Sequence, residues 1–402
     1  MRKIRHVLSA EDFDHSSLID VFAETDKMKA ACEDPQLAPA LAHILIKDEK
    51  PLKFYILTDP STRTETSFEN AIENLGGKCK TKPLIFSSIS KGETHRSTAR
   101  TLGPYCICII IRDDKDEFAA QAMAQAVKDY GLDVVIINAG CGKKEHPTQM
   151  LIDLYTIYER RRDEFVSGKL TYAFVGDISH SRTIHSDLLG LRNFGGTAYL
   201  AGPESENLPP WLTEKLKNSR LTLHKITDTL KIADKVDFWY FTRLQQNLRQ
   251  KKVSKYANQR YAELFGANEQ LRKKMRKDAV VLHPLPHGPE YHEKIDLEDP
   301  RFVHFLQADN GLYVRMALLK MIFDPHTEIK KLALERGFVE VSGFFRTIDI
   351  AAKDIINICR KAGCRMVEVQ KNGWISMSSM KKKEEFANLL PNTFCKDCRN
   401  NK

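Results

Sequence analysis

The tetrapeptide Ser61-Thr62-Arg63-Thr64 sets three hydroxyls and a guanidinium side by side, just ahead of the amphipathic run SFENAIENL. Backbone N–H groups at a helix start cradle anions, and arginine adds a planar fork that matches phosphoryl or carboxylate oxygens. The ordinary alternative is helix capping by Ser61 or Thr62. Capping does not account for four polar residues together, or for Arg63 in a first turn, where a cation opposes the helix dipole. Other apolar runs end in the same way. Arg112 closes CICIIIR, His146 and Gln149 follow NAG, and Arg182 follows FVGD. Arg243 and Gln245 close FWYFTRLQ, and His283-Pro284-Leu285-Pro286 closes AVVL. Any one of these could be a surface residue, and a lone His at a helix start is more often a cap than a catalyst. Gathered at five run ends, they suit a set of multiply anionic ligands. No GxGxxG, HExxH, Walker lysine motif or serine nucleophile elbow is present.

The elements that would position these residues alternate. KFYILTD (53–59), PLIFSS (83–88), CICIIIR (106–112) and DVVIINAG are short apolar runs that predict strands. Helical spacing of Phe68, Ala71, Ile72 and Leu75 fills one gap and stops at Gly76-Gly77, and further helices follow at EFAAQAMAQAVKDYG and after HPTQ. The pattern restarts with LTYAFVGD (170–177), a helix over TIHSDLLGLRNFGG, and strands at TAYLAGP, DFWYFTRLQ and AVVLHPLPHG. Apolar strands alternating with helices predict parallel sheets covered on both faces, here two doubly wound α/β domains with polar residues at the strand ends. The expected limits are 1–150, completed by a helix at about 305–325, and 151–304. Residues 326–402 form a third, small α+β unit: a helix at AAKDIINICRKAG, a hairpin around Asn372-Gly373, and a short helix at KKKEEFANLL.

Composition narrows the class. The 402 residues are 42% hydrophobic and 29% charged, ordinary for a globular chain of two or three domains. No apolar run reaches membrane length, and the N-terminus lacks a signal-peptide core, so a cytoplasmic protein is expected. Nine cysteines are too few for a disulfide scaffold. The net charge is +9, and from His326 onward 15 Lys or Arg stand against 9 Asp or Glu. A basic tail therefore follows a nearly neutral body, and the body is not expected to bind nucleic acid.

Together, STRT with SFE, KGET (91–94), NAG…HPTQ…LIDLYTI (138–157), VGD…RTIHS (175–186), TRLQ (242–245), HPLP (283–286) and QADNGLYVRMALL (307–319) resemble the aspartate carbamoyltransferases. The blocks stand in family order over roughly residues 5–325. STRT with HPTQ is specific to carbamoyltransferases, and TRLQ with HPLP speaks for aspartate as second substrate. The resemblance implies N-carbamoyl-L-aspartate synthesis from carbamoyl phosphate and L-aspartate, in pyrimidine biosynthesis. It implies that Ser61, Thr62, Arg63, Thr64 and Arg112 hold the phosphate, and that His146 donates to the carbonyl oxygen. Gln149 and the carbonyls of Pro284 and Leu285 would take the amino group, and Arg182, Arg243 and Gln245 the aspartate carboxylates. Ser87 and Lys91 would come from a neighbouring subunit of a homotrimer with shared active sites, which in turn could stack into higher assemblies. No cofactor is implied.

Departures from the family pattern are His287 where arginine usually follows HPLP, Gln246-Asn247-Leu248 after TRLQ, and Ile89-Ser90 before Lys91. Cys359, Cys364, Cys395 and Cys398 could supply four thiolates, as in a regulatory chain that accompanies some bacterial members. That likeness stops at cysteine count, and the preferred reading of the extension is without zinc. The rival functions are transfer to another amine such as ornithine, and a noncatalytic carbamoyltransferase-like scaffold or regulator. Retention of Arg63, Arg112, His146 and Arg243 weighs against the scaffold.

Overall fold

The computed structural model describes residues 6–35, 38–47, 49–243, 260–261, 263–291 and 294–323, with the strands at 338–340, 366–369 and 374–377. Two compact units divide the chain, Met1–Ile322 and Phe323–Lys402.

The first unit holds two parallel sheets. Strands β1 (Lys53–Thr58), β2 (Lys78–Pro83), β3 (Cys108–Asp113) and β4 (Val135–Cys141) run in the order β2-β1-β3-β4. Strands β5 (Thr171–Val175), β6 (Gly196–Ala201), β7 (Leu221–Ile226), β8 (Phe238–Phe241) and β9 (Val280–Leu282) run in the order β9-β8-β5-β6-β7. All neighbours within both sheets are parallel. Central strands are apolar on both faces because helices cover both: Cys108 to Ile111 of β3 and all of β8 are buried.

Seven helices matter for the site: α1 (His15–Glu33), α2 (Thr62–Asn74), α3 (His95–Leu102), α4 (Ala119–Asp129), α5 (Pro147–Arg160), α6 (Arg182–Leu191) and α7 (His304–Phe323). The face of α2 predicted from spacing is the buried one, with Phe68, Ala71 and Ile72 fully enclosed. From Pro147 to Tyr158, α5 is buried at every residue except Gln149. The last helix returns to the first sheet's side, where Asn310 donates to Thr156 (3.1 Å) and Glu159 (3.0 Å), and Arg315 to Ser67 (2.6 Å).

Two strand expectations change. PLIFSS is not a strand: β2 is the preceding KCKTKP, and Leu84–Phe86 and Ser88–Lys91 are 3-10 turns. Lysines on alternate positions suit a sheet edge, which charge protects from further pairing. The apolar Ile85 and Phe86 lie on the surface, 55% and 70% exposed. The other change is β7, LTLHKI, an edge strand with only Leu221 buried and too polar to stand out as an apolar run.

In the second unit, β10 (Phe338–Glu340), β11 (Met366–Val369) and β12 (Trp374–Met377) form an antiparallel sheet in the order β10-β12-β11. The strands either side of Asn372-Gly373 thus pair as that dipeptide predicts. The dipeptide itself and both helices expected in this unit lie outside the described residues. Among the described residues no helix is long and apolar enough to cross a membrane.

Candidate active site

The carboxyl ends of β1, β3, β4, β5, β8 and β9 carry the residues singled out above, as an open α/β fold requires. After β1, Ser61 occupies the N-cap of α2, yet its side chain caps nothing. Its hydroxyl donates instead to Thr64 Oγ1 at 3.0 Å. Capping by Ser61 is therefore ruled out, and the first turn of α2 keeps its N–H groups for another acceptor. Arg63 as a whole is exposed, but its guanidinium is shielded enough that burial, and then the charge of Arg243, lower its pKa. The two arginines therefore lie near one another.

Gly140, on β4, marks the centre. Its φ is +110°, and a methyl placed on it would stand 2.9 Å from His146 Cδ2, 3.2 Å from Arg112 Nη1 and 3.2 Å from Arg182 Cζ. Three predicted residues from three different elements thus meet around one glycine. Asp114 Oδ1 bridges the two arginines, 3.2 Å from Arg112 and 2.8 Å from Arg182. Arg182 also donates to the carbonyls of Gly140 (3.2 Å) and Gly142 (2.8 Å). Burial and then the charge of Arg182 lower Arg112 to about 10, which leaves it cationic at neutral pH, and its Nε has no partner among the described residues.

His146 is the N-cap of α5. Its Nδ1 accepts the Gln149 backbone N–H at 3.3 Å, with Thr148 Oγ1 at 3.5 Å, and the His146 backbone N–H donates to Ser186 Oγ at 2.8 Å. Burial first, then the charges of Arg182, Arg112 and Arg315, hold it well below the usual histidine value. The ring is therefore neutral, and with Nδ1 accepting, the proton sits on Nε2, beside the Cδ2 edge that faces Gly140. Gln149 gives its side-chain amide N–H to Asp153 at 2.8 Å, which holds the amide by its nitrogen and leaves Oε1 as its acceptor.

After β9, Leu285 adopts a left-handed φ of +57°, uncommon for a branched side chain. Its N–H donates to His283 Nδ1 at 2.8 Å, and His283 Nε2 faces Glu290 Oε1 at 3.0 Å. Glu290 also accepts the Gly288 N–H at 2.7 Å. This loop is held from several sides, so the carbonyls of Pro284 and Leu285 are fixed. Arg243 lies against it, its Cβ 3.3 Å from a methyl placed on Gly288.

Some expected residues stand apart. Ser87 is buried with its hydroxyl on the Leu84 carbonyl at 2.7 Å, and Lys91 is exposed; among the described residues neither bonds to this cluster. Gln245, Cys359, Cys364, Cys395 and Cys398 lie outside the described residues. The described cysteines, Cys32, Cys79, Cys106, Cys108 and Cys141, are free thiols. Asp177, His180 and Glu206 are the one described group with ligand atoms close enough to hold a metal ion. Residues not foreseen from sequence are Asp114, inside the acidic run after Arg112, and Arg315, inside the VRMALL block. Arg315 is buried over the Phe68 ring, 4.6 Å from its centroid.

Comparison with known proteins places similarity over the whole first unit. The family model "Aspartate/ornithine carbamoyltransferase, carbamoyl-P binding domain" matches residues 5–159, and "Aspartate/ornithine carbamoyltransferase, Asp/Orn binding domain" matches 168–322. The chain is 35% identical over 327 residues to the aspartate carbamoyltransferase catalytic subunit of Thermoplasma acidophilum, covering 80% of this chain and 99% of that one. It is 32% identical to the chloroplastic aspartate carbamoyltransferase of Arabidopsis thaliana, covering 80% and 78%. Among solved structures, aspartate transcarbamoylase of Trypanosoma cruzi with N-(phosphonacetyl)-L-aspartic acid superposes with a TM-score of 0.70 at 26% identity, over 80% of this chain and 96% of that one. The catalytic subunit of M. jannaschii aspartate transcarbamoylase gives 0.66 at 29% identity, over 79% and 97%.

Proposed function

The chain belongs to the aspartate/ornithine carbamoyltransferase family, and on that premise we propose the reaction it performs. It transfers the carbamoyl group of carbamoyl phosphate to L-aspartate, yielding N-carbamoyl-L-aspartate and phosphate, the second step of de novo pyrimidine synthesis. The observation that carries this reading is the meeting of Arg112, Arg182 and neutral His146 at Gly140.

The open start of α2, with Ser61, Thr62, Arg63 and Thr64, takes the phosphate. Thr64, Arg112 and His146 Nε2–H aim at the carbonyl oxygen, on which negative charge develops as the aspartate amine attacks carbon. Donors already in place stabilise that charge without reorganising, each worth about 3–4 kcal/mol. Gln149 Oε1 and the Pro284 and Leu285 carbonyls accept from the carbamoyl NH2. As the C–O bond to phosphate breaks, the leaving phosphate takes a proton from the amine. Arg182, Arg243 and Gln245 hold the aspartate carboxylates and set the amine against the carbonyl. Ornithine fits less well, since its second ammonium would enter a site already lined by Arg63, Arg112, Arg182 and Arg243.

Residues 1–150 with the helix at about 305–325 serve carbamoyl phosphate, and 151–304 serve aspartate. Every residue assigned to the chemistry lies within 1–325, ahead of the extension 326–402. A cytoplasmic homotrimer is the working form, with Ser87 and Lys91 reaching into a neighbour's site; exposed Ile85 and Phe86 on the same turns support an interface there.

The test is formation of carbamoyl aspartate by the purified full chain, with L-ornithine in parallel. Product from aspartate alone is expected, with Arg63→Ala lowering kcat/KM by roughly a hundredfold or more. Product from ornithine alone, or none from folded protein, would overturn the assignment.

A further inference from the structure

A buried acid pair lies behind Gln149. Asp153 is one turn beyond Gln149 on α5, Asp187 is on α6, and each is 1% exposed. Asp153 Oδ1 accepts from the amides of Gln149 at 2.8 Å and Gln307 at 2.6 Å, and Oδ2 from the Tyr240 hydroxyl at 2.8 Å. Gln307 Oε1 in turn accepts the His283 N–H at 2.9 Å. One carboxylate therefore orients both Gln149 and the start of the His283-Pro284-Leu285 loop. Asp187 is different. Among the described residues neither of its oxygens meets a donor, and the polar group it touches is the carboxyl of Asp153.

Two carboxylates in contact away from water cannot both be ionised, so they share one proton. Its place follows from the surroundings. Asp153 accepts three hydrogen bonds that favour its anion, and buried Arg315 on α7 supplies the countercharge. Among the described residues, no donor reaches Asp187 to support a negative charge. Tyr240 on β8 faces the pair as a neutral donor, and the other charges near Arg315 belong to Arg112.

We propose that Asp187 is a positioning residue for carbamoyl transfer: as a neutral acid it donates to Asp153, and this bond locks the carboxylate that aims Gln149 and the His283–Leu285 loop at the carbamoyl amino group. The inference rests on the assignment of those groups made above. Burial, and then the charge of Asp153, push Asp187 well above the carboxylate range, while burial raises Asp153 to about 6 against its three hydrogen bonds. Loss of the Asp187 proton at alkaline pH would set two buried anions against each other and release Gln149.

Asp187→Asn keeps a donor without an ionisable proton, and Asp187→Leu keeps bulk without a donor. In the full chain, Asp187→Leu is expected to raise KM for carbamoyl phosphate roughly tenfold, the worth of a hydrogen bond to a charged group, and to leave KM for aspartate little changed. Asp187→Asn should restore the native KM, and the rise in KM expected of the native protein at alkaline pH should be absent from it. An infrared difference between native protein and Asp187→Asn should show the carbonyl stretch of a protonated carboxyl, a readout independent of turnover. Absence of that band overturns the proposal even in an active enzyme. So does an unchanged KM in both variants with thermal midpoints showing them folded. If the Leu variant does not fold, the Asn variant's pH profile and the band decide. A native protein that shows the band but turns over neither amine would overturn the function, and the positioning role with it, while the shared proton would stand.

Discussion

At Gly140 the site has no room for a single methyl group. The glycine's left-handed φ, and three side chains within 3.2 Å of where such a methyl would stand, leave any larger residue to displace His146, Arg112 or Arg182. Displacements of about 1 Å commonly cost on the order of a hundredfold in rate. Gly140→Ala should therefore lower kcat/KM by about that factor while the protein stays folded, and steady-state kinetics beside a thermal melt will check it. Activity within about threefold of native would mean that the cluster is not the reacting centre. His146 makes a related point. From sequence it could be a cap or a catalyst, and the structure makes it a cap whose free Nε2 suits the proposed donor role. Capping by Nδ1 fixes the tautomer that leaves Nε2 as donor. Sequence could not decide this, because the tautomer depends on the Gln149 N–H of the following turn, and the ring's neutrality on burial and on Arg182, Arg112 and Arg315 from other elements.

The loop after β9 carries one of the departures from the family pattern, His287. His287 packs against His283, His304 and Tyr291, with ring centroids 5.2, 4.5 and 4.9 Å away. Among the described residues its Nε2 and both nitrogens of His304 are buried without partners, so a proton there would meet no acceptor among them. Burial, and then the charges of His287 and His283, lower His304 from 6.5 to about 4, and burial lowers His287 as well. Unfolded, these rings take protons near 6.5, so between pH 6.5 and about 4 the unfolded chain binds more protons than the folded one. Stability is accordingly full above pH 6.5 and falls as pH drops through that window. Thermal midpoints measured from pH 7 to pH 5 should fall less steeply in His304→Phe than in the native chain; an equal slope would remove the cluster as the cause. The expected departure at His287 was legible as a substitution, but its consequence was not, since His304 lies 17 residues away on α7. Elements themselves were legible where burial on both faces made the run all-apolar, as in β3 and β8. They failed where edge position reversed the rule, at the lysine-bearing β2 and at LIF, where Ile85 and Phe86 face solvent.

On the scale of the whole molecule, the site is assembled from both sheets of the first unit. Arg182, at the start of α6 in the second sheet's half, is pinned to Asp114, Gly140 and Gly142 in the first. Such pairs, separated by about 40 to 70 residues in sequence, leave no local pattern, which is why the strand-end arginines could be picked out from sequence and Asp114 could not. The family matches end at residue 322, where the compact first unit also ends. A chain ending at residue 325 should therefore fold and keep most of its carbamoyl transfer, and collapse of activity in folded protein would give the extension a catalytic duty. Ser87 and Lys91 raise the remaining question. Within one chain they bond to none of the cluster residues described, so a role in chemistry requires a second chain. Lys91→Ala and His146→Ala proteins should each be nearly inactive alone. Co-expressed, they should form some sites that draw His146 from one subunit and Lys91 from another, and activity should return. Mixed oligomers as silent as their parents would show that each chain completes its own site, and the turn bearing Ile85 and Phe86 would then owe its exposed apolar surface to something other than a shared active site.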